Sequence, residues 1–428
     1  MPKKFALFMT VGLGGKTQNE VDSLAHGMLD TIIEGNFDYV VFFGSKKSKK
    51  TIKSLKRQYR EKFKTKDENG NIIYEEFDYC EFIPIEEIHS FNPYYDAIKS
   101  KIKEYENDYE IKVNYTPGTK TMSVAAAISS LVYRKTLRTI DGERGEDGRV
   151  IKGTEVHIDY KLYAVYDEIL IRRIKRAFNN CHFSSGRLFI DDLTDRRIAN
   201  DFYSLFDVYS NWDNVNFKKA HESFDKNFKH IFSELSNRLD LNIKALNIIN
   251  KKNEISKNEF QYHKYKKYYE LASIINNADR RASEKKYDDA IARLYRSFEL
   301  IGQIRLEDYG IKSNNVDINI LNDSISDDFI KYLDKKKDND NKIKIGLDDD
   351  FKLLNELGDD LGKYYIENKK KIRNVNQSRN NSIFAHGLEP KTIDEYNNFK
   401  KIVLEFANKS HNKMSEFLED TVFPKFNI

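Results

Sequence analysis

YEIKVNYTPGTKTMSVAAA, residues 109–127, is the stretch whose reading decides the fold. Its first part, 109–116, is rich in β-forming residues and reads as a strand. From Thr119 to Leu131 a small-residue helix follows, in which Ala125, Ala126 and Ala127 allow close packing on a sheet. A strand that runs into a helix through a short Pro-Gly turn is the βα unit of an open parallel sheet, and the same rhythm fills residues 4–170. The other strand candidates are FALFMTV (5–11), DYVVFFG (38–44), DYCEFIPI (78–85) and the long EVHIDYKLYAVY (155–166). Asn19 to Ile33 reads as a helix with Val21, Leu24, Met28, Leu29 and Ile32 as its apolar stripe, and GERGEDG (142–148) closes a hairpin into the last strand. The expected fold of this half is a Rossmann-like, doubly wound α/β domain.

From about Asp167 strand signals give way to helical periodicity. Asp167 to Asn179 opens that half, with further helices expected at 193–210, 214–249, 259–283, 286–307, 350–373, 377–387 and 392–419. The Asn-, Asp- and Lys-rich span 311–347, with KKKDNDNK at 335–342, reads as surface loop. A chain of 428 residues, at about 100–200 per domain, divides into two or three domains.

Composition narrows the function classes. Charged residues make up 33 %, with 72 basic against 68 acidic, so the net charge of +4 gives no global field for coating a nucleic acid. Cys80 and Cys181 are the only cysteines and fit neither a disulfide framework nor a zinc pattern. The apolar run in MPKKFALFMTVGLGG is too short for a signal peptide, and nothing later approaches the roughly 18 apolar residues that span a bilayer, so a cytoplasmic protein without membrane contact is expected.

Two loops after strands carry residues suited to phosphates and riboses. In MTVGLGGKT, Thr10 lies near a strand end, and Gly12, Gly14 and Gly15 are expected to expose backbone N–H groups before a helix. In NYTPGTKTMS, Asn114 lies at the end of the fourth candidate strand, and Thr116, Gly118, Thr119, Lys120 and Ser123 lead into the alanine-rich helix. In an open α/β sheet ligands sit outside the carboxyl ends of the strands where strand order reverses, and helix N-termini there favour anions. GLGGKT is neither the GxGxxG of dinucleotide oxidoreductases nor a Walker A loop. NYTPGTKTMS resembles the NxTGGTKxMS-like signature of CARF domains, which sense cyclic oligoadenylates in type III CRISPR systems, with Pro117 standing where a glycine is common.

Near the C-terminus, RNNSIFAHG spans Arg379 to Gly387. On one helix, at about 100° and 1.5 Å per residue, Arg379 and His386 share a face but sit about 10 Å apart along the axis. YDDAIARLYRSFE (287–299), with Arg293, Arg296 and Glu299 at the border of its apolar stripe, has the plain reading of a solvated helix edge with local ion pairs. Upstream of RNNSIFAHG, it resembles the helical HEPN domain, whose Arg-x4-6-His motif marks ribonucleases. The resemblance implies a catalytic Arg379, Asn380 and His386. His386 would act as general acid or base, Arg379 would neutralise the phosphate, and Asn380 would orient them. No carboxylate and histidine cluster has a metal-ligand arrangement, so the expected reaction is attack of the 2'-hydroxyl of RNA on the adjacent phosphorus. HEPN ribonucleases typically form dimers with a composite cleft, which resolves the 10 Å separation of the two side chains.

The expected protein is therefore a homodimer: a CARF-like sensor at 1–170, a helical linker region at 171–258 and a HEPN-like, all-α ribonuclease domain at 259–428. It would cut single-stranded RNA without a metal or other cofactor. Its activator would be cyclic tetra- or hexa-adenylate, and no stable protein partner is expected. The alternative is a CARF sensor whose HEPN module is inactive and which acts by binding alone.

Overall fold

The computed structural model describes residues 4–87, 89–145, 150–251, 259–321, 325–373 and 388–428, with the side chains of 259–263 excepted. The chain divides into two compact units, Met1–Ile169 and Leu170–Ile428.

The first unit is a three-layer α/β domain. Its sheet comprises β1 (Lys4–Val11), β2 (Tyr39–Gly44), β5 (Cys80–Pro84), β6 (Tyr109–Asn114), β7 (Thr136–Asp141) and β8 (Val156–Tyr160) in the order β5-β2-β1-β6-β7-β8. All neighbours are parallel except β7 and β8. A separate two-stranded hairpin joins β3 (Lys64–Lys66) to β4 (Ile72–Tyr74). The helices are α1 (Gln18–Gly35), α2 (Lys49–Lys62), α3 (Phe91–Tyr105) and α4 (Lys120–Val132). β1 is buried on both faces, which is why it reads as a continuous apolar run rather than an alternation. Ala6 and Phe8 pack with Ile98, Ile102, Ala125 and Ala126 from α3 and α4, while Leu7, Met9 and Val11 pack with Ala25, Met28, Leu29 and Leu55 from α1 and α2.

The last strand departs from the expected 155–166. It ends at Tyr160, and α5 (Tyr163–Asn179) begins three residues later. Its partner is β7, whose burial rests on Leu137 and Ile140 and on a charge: Arg138, 5 % exposed, binds Glu34 at 2.8 Å and Asp159 at 2.6 Å. Asp159 also receives Lys112 at 2.7 Å. Burial alone would raise the Asp159 carboxyl, but Arg138 and Lys112 outweigh it and hold it below its usual value.

The second unit is helical. Its elements are the rest of α5, then α6 (Phe183–Asp191), α7 (Arg196–Asp213), α8 (Phe217–Glu222), α9 (Phe228–Ile231), α10 (Ser236–Asn250), α11 (Glu259–Ser283), α12 (Tyr287–Glu307), α13 (Asp327–Asp334), α14 (Leu347–Glu356), α15 (Asp360–Glu367), α16 (Ile393–Ser410) and α17 (Met414–Asp420). Three expected long helices are broken. The 214–249 span becomes α8, α9 and α10, because Asn216 caps α8 through its side chain and Asp225 turns the chain by accepting the Asn227 N–H. The 350–373 span breaks between α14 and α15, where Gly358 takes φ +76° and Asp359 caps the next helix. The 392–419 span breaks at the extended His411. The loop expected over 311–347 contains α13.

α11 and α12 form a helical hairpin, and Phe298 of α12 packs on Phe351 (5.2 Å between ring centres) and Phe406 (4.8 Å). The C-terminal tail returns to the first bundle. Asn242 of α10 donates to the Asp420 and Val422 carbonyls, and Asn179 exchanges two hydrogen bonds with Phe426.

Asp350, 1 % exposed beside Gly302 of α12, has two carboxylate oxygens without hydrogen-bond partners among the described residues. Burial, reinforced by the charge of Glu299, pushes its carboxyl up to about 7 from 3.8. Between these values the folded state holds a proton that the unfolded state has released, so the stability from this group is lost as pH rises towards 7. Asp350→Asn is expected to raise the melting temperature at pH 8, by the equivalent of more than about 1 kcal/mol, and to have little effect at pH 4. Melting curves across pH check this, and an equal shift at both pH values would contradict it.

A candidate nucleotide site at the switch point of the sheet

Strand order reverses between β1 and β6, so the two loops singled out in the sequence lie side by side above the carboxyl ends of these strands. They are stitched together. The Gly12 N–H donates to the Pro117 carbonyl at 2.7 Å, and the Thr51 hydroxyl donates to the Gly12 carbonyl at 2.9 Å. The expectation that Gly12 presents a free N–H therefore fails, because that group holds the second loop in place.

The two helix starts differ in charge. At α1, Glu20 forms a capping box with Thr17 and takes the N–H groups of Lys16 (2.7 Å) and Thr17 (2.9 Å). A Cβ on Gly15 would fall 2.3 Å from the Glu20 carboxylate, so glycine is what lets this side chain lie across the helix end. That terminus carries its own anion. At α4, Thr119 is the N-cap, Lys120 is exposed in the first turn, and no acidic residue stands there. The dipole of α4 is left uncompensated by its own sequence, which makes this end the more favourable one for a phosphate.

Beneath the loops, Thr10 is 1 % exposed and Asn114 fully buried. Asn114 accepts the Thr116 N–H through Oδ1 at 2.9 Å, while its Nδ2 has no partner among the described residues. The Thr116 hydroxyl accepts the Ile140 N–H at 2.9 Å, fixing the loop to β7. Ser123 donates to the Tyr115 carbonyl at 2.9 Å. Gly118 sits against Thr10, where a Cβ would come within 2.4 Å of the Thr10 hydroxyl.

A cleft of 740 Å³ opens from these loops towards α1 and α2. Of the nine residues expected to contact ligand, Gly14 and Thr116 line it; Thr10, Gly12, Asn114, Gly118, Thr119, Lys120 and Ser123 lie under or beside the loops instead. Sequence reasoning missed His26 of α1, Arg57 and Gln58 of α2, and Arg144, Lys152 and Glu155 around the β7–β8 connection. The basic residues flanking GERGEDG were the one available signal.

Arg379, Asn380 and His386 lie outside the described residues, 374–387 being one such segment. Its flanks are described. The chain enters at Ile372 and leaves by Lys391, 1 % and 7 % exposed. The Lys391 N–H donates to Asp288 at the start of α12, at 3.2 Å, and its ammonium faces Glu395 at 3.4 Å. On α12, Arg296 pairs with Glu299 at 3.2 Å as the expected exposed local ion pair, whereas Arg293, partly buried, binds Asp289 on its own helix and also Asn277 of α11.

The family model described as the Csm6 HEPN domain matches residues 259–410, and that described as the Csm6 6H domain matches 166–262. Together they run without a gap over more than half of the chain. The chain belongs to the Csm6 family. Csm6 of Enterococcus italicus, solved bound to cyclic hexa-2'-fluoro-hexa-dAMP, superposes with a TM-score of 0.58 at 13 % identity, covering 98 % of this chain and 100 % of that one. No curated protein matches in sequence. In Csm6 terms, α11, α12 and α16 belong to the HEPN domain and α6 to α10 to the 6H domain. The α/β unit lies almost wholly before both. Among the described residues, no helix is long and apolar enough to cross a membrane.

Gly118→Ala is expected to cost about 1–3 kcal/mol of stability through overpacking against Thr10. Part of that loss should return in the Thr10→Ala, Gly118→Ala double variant. Denaturant unfolding of the four proteins measures the coupling, and strict additivity would remove the proposed contact.

Proposed function

We propose that this Csm6-family protein is a ribonuclease of type III CRISPR defence, activated by a cyclic oligoadenylate bound at the switch-point loops. The observation that carries the reading is the match to the Csm6 HEPN domain over 259–410, which encloses Arg379, Asn380 and His386. The likeness in fold to a Csm6 solved with a cyclic hexanucleotide supports the activator class. Residues 1–170 would be the sensor, 171–258 the helical region that joins it to the catalytic part, and 259–428 the HEPN region. The C-terminal tail, packed on the first bundle, extends past the HEPN match.

In the proposed reaction His386 moves the proton of the RNA 2'-hydroxyl or of the leaving 5'-oxygen. Arg379 neutralises the crowded phosphate, and Asn380 orients the pair. The 2'-oxygen forms a bond to phosphorus as the P–O5' bond breaks, leaving a 2',3'-cyclic phosphate and a 5'-hydroxyl. The nucleophile belongs to the substrate, so no metal is required. Single-stranded RNA is cut and DNA is inert.

A homodimer is the expected working state in the cytoplasm. α4 leaves Val124, Ile128 and Val132 exposed at 53 %, 39 % and 50 %, four residues apart on one face directly beside the ligand loops. A second copy of α4 across a twofold axis would cover this stripe and set two pairs of loops around one ring-shaped ligand. Activation then requires that the ligand bind one arrangement of the dimer more tightly than the other.

Labelled RNA and DNA incubated in EDTA, with and without cyclic tetra- or hexa-adenylate, test the reaction. RNA cleavage is expected only with the activator, and DNA cleavage or complete dependence on a divalent metal would overturn it. His386→Ala should lower the activated rate at least about a hundredfold, and full activity would displace the assigned site. For the assembly, Ile128→Asp is expected to shift the protein towards monomer in sedimentation, with its circular dichroism unchanged.

A further inference from the structure

Residues 46–66 hold a charge that the balance of the whole chain conceals. KKSKKTIKSLKRQYREKFKTK carries eleven lysines and arginines against one acid, Glu61, in a protein whose net charge is only +4. Most of this stretch is α2, and the helical period sorts its side chains. Ile52, Leu55 and Tyr59 are buried in the core beneath the sheet. At about 100° per residue, Lys49, Lys50, Lys53, Arg57 and Arg60 fall within an arc of about 100° on the outer side. All five are exposed. Arg57 binds Asp22 at 2.8 Å and Arg60 binds Glu76 at 3.0 Å, while Lys49, Lys50 and Lys53 have no ion pair among the described residues. Like charges four apart, as in Lys49, Lys53 and Arg57, repel along a helix, and lysines in its first turn oppose the dipole. This ridge therefore costs the fold stability rather than supplying it.

The ridge leads into the β3–β4 hairpin, whose strand residues are all exposed. A lone two-stranded ribbon has no core of its own, and this one is held at its turn. There Asp67 accepts the Asn69 and Asn71 N–H groups at 2.9 and 2.7 Å, and Gly70 takes φ +81°. The register sets Lys64 opposite Tyr74 and Lys66 opposite Ile72, so these four side chains share one face of the ribbon. Arg60 lies over the Tyr74 ring at 4.9 Å, which joins that face to the ridge of α2. Tyr74 nevertheless stays 37 % exposed and Ile72 49 %. A row of cations beside an open aromatic ring matches a single strand of nucleic acid, with lysines for its phosphates and a flat face for a base. A duplex hides its base faces and has no use for the ring. α2 starts after the carboxyl end of β2 and returns the chain towards the amino end of the parallel β5, so the hairpin lies away from the switch-point loops.

We propose that the outer side of α2 and the hairpin face of Lys64, Lys66, Ile72 and Tyr74 form a docking surface for single-stranded RNA, in the first unit rather than in the HEPN region. It holds the strand through phosphates and through a base stacked on Tyr74, without reading sequence. The choice of RNA as the strand rests on the ribonuclease reading above.

The probe is a labelled single strand of 2'-O-methyl RNA, which lacks the attacking hydroxyl, and binding to the full chain is read by fluorescence anisotropy without activator. The Lys53→Gln, Lys66→Gln double variant should bind about ten times more weakly, with a salt slope shallower by about 0.7 per lost phosphate contact. Tyr74→Ala should weaken the single strand by a similar factor and leave a duplex probe unaffected. The Lys103→Gln, Lys218→Gln variant removes the same charge from α3 and α8 and should bind as the native protein does. Failure of the native protein to bind the strand, native affinity in the Lys53 and Lys66 variant, or an equal loss in the α3 and α8 variant overturns the surface and leaves the ribonuclease reading standing. An equal loss of duplex in Tyr74→Ala overturns the stacking. In activated cleavage of natural RNA, the Lys53 and Lys66 variant should show a raised KM and an unchanged kcat. Binding that follows these expectations in a protein that cuts no RNA upholds the surface and overturns the ribonuclease reading instead.

Discussion

The burial of β1 on both faces is the constraint on which the first unit depends. A strand with Leu7, Met9 and Val11 in one core and Ala6 and Phe8 in the other must lie inside the sheet, with helices above and below. Its neighbours β2 and β6 then run in opposite directions of strand order. That reversal leaves a gap above the carboxyl ends where the chain can place loops without covering them. The site is thus a consequence of packing: a central apolar strand produces the crevice, and polar residues at its tip furnish it. Thr10, fully enclosed at the end of an otherwise apolar run, marks the handover from core to site.

Helix ends decide what the crevice prefers. Glu20 lies across the start of α1, while the start of α4 holds Thr119 and Lys120 and no acid. Two glycine-bearing loops that look alike in sequence therefore differ in electrostatics. The first helix start is neutralised by its own carboxylate, and the second keeps its positive end uncompensated. Two contacts, Gly12 to Pro117 and Gly118 against Thr10, hold the pair together.

Much of the fold was legible because its signals are local. Strands that are buried on both faces show as apolar runs, and β1, β2, β5 and β6 fall within one or two residues of their sequence bounds. Errors arose where a distant partner decides the outcome. β8 stops at Tyr160 because its length is set by pairing with β7, and KLYAVY, β-prone by composition, goes into α5. The 214–249, 350–373 and 392–419 spans keep helical periodicity through breaks made by caps and turns. In the site, loop residues with unusual backbone chemistry were visible, but Arg57 and Lys152 were not. In a chain with 72 basic residues, nothing in one sequence separates a lysine on a cleft from one in solvent.

The proposed catalytic motif poses the opposite case: its chemistry is local and its setting is not. Arg379 and His386 stand out by type and spacing, yet two groups about 10 Å apart along a helix do not converge on one phosphate without a second contributor. The chain pins both flanks of 374–387 to the HEPN core, through buried Ile372 on one side and Lys391 held at the start of α12 on the other. On the proposed reading, a ligand bound at the switch point of the first unit would influence a site in the second only by favouring one arrangement of the domains, which is a physical reason for joining a sensor to a ribonuclease in one chain.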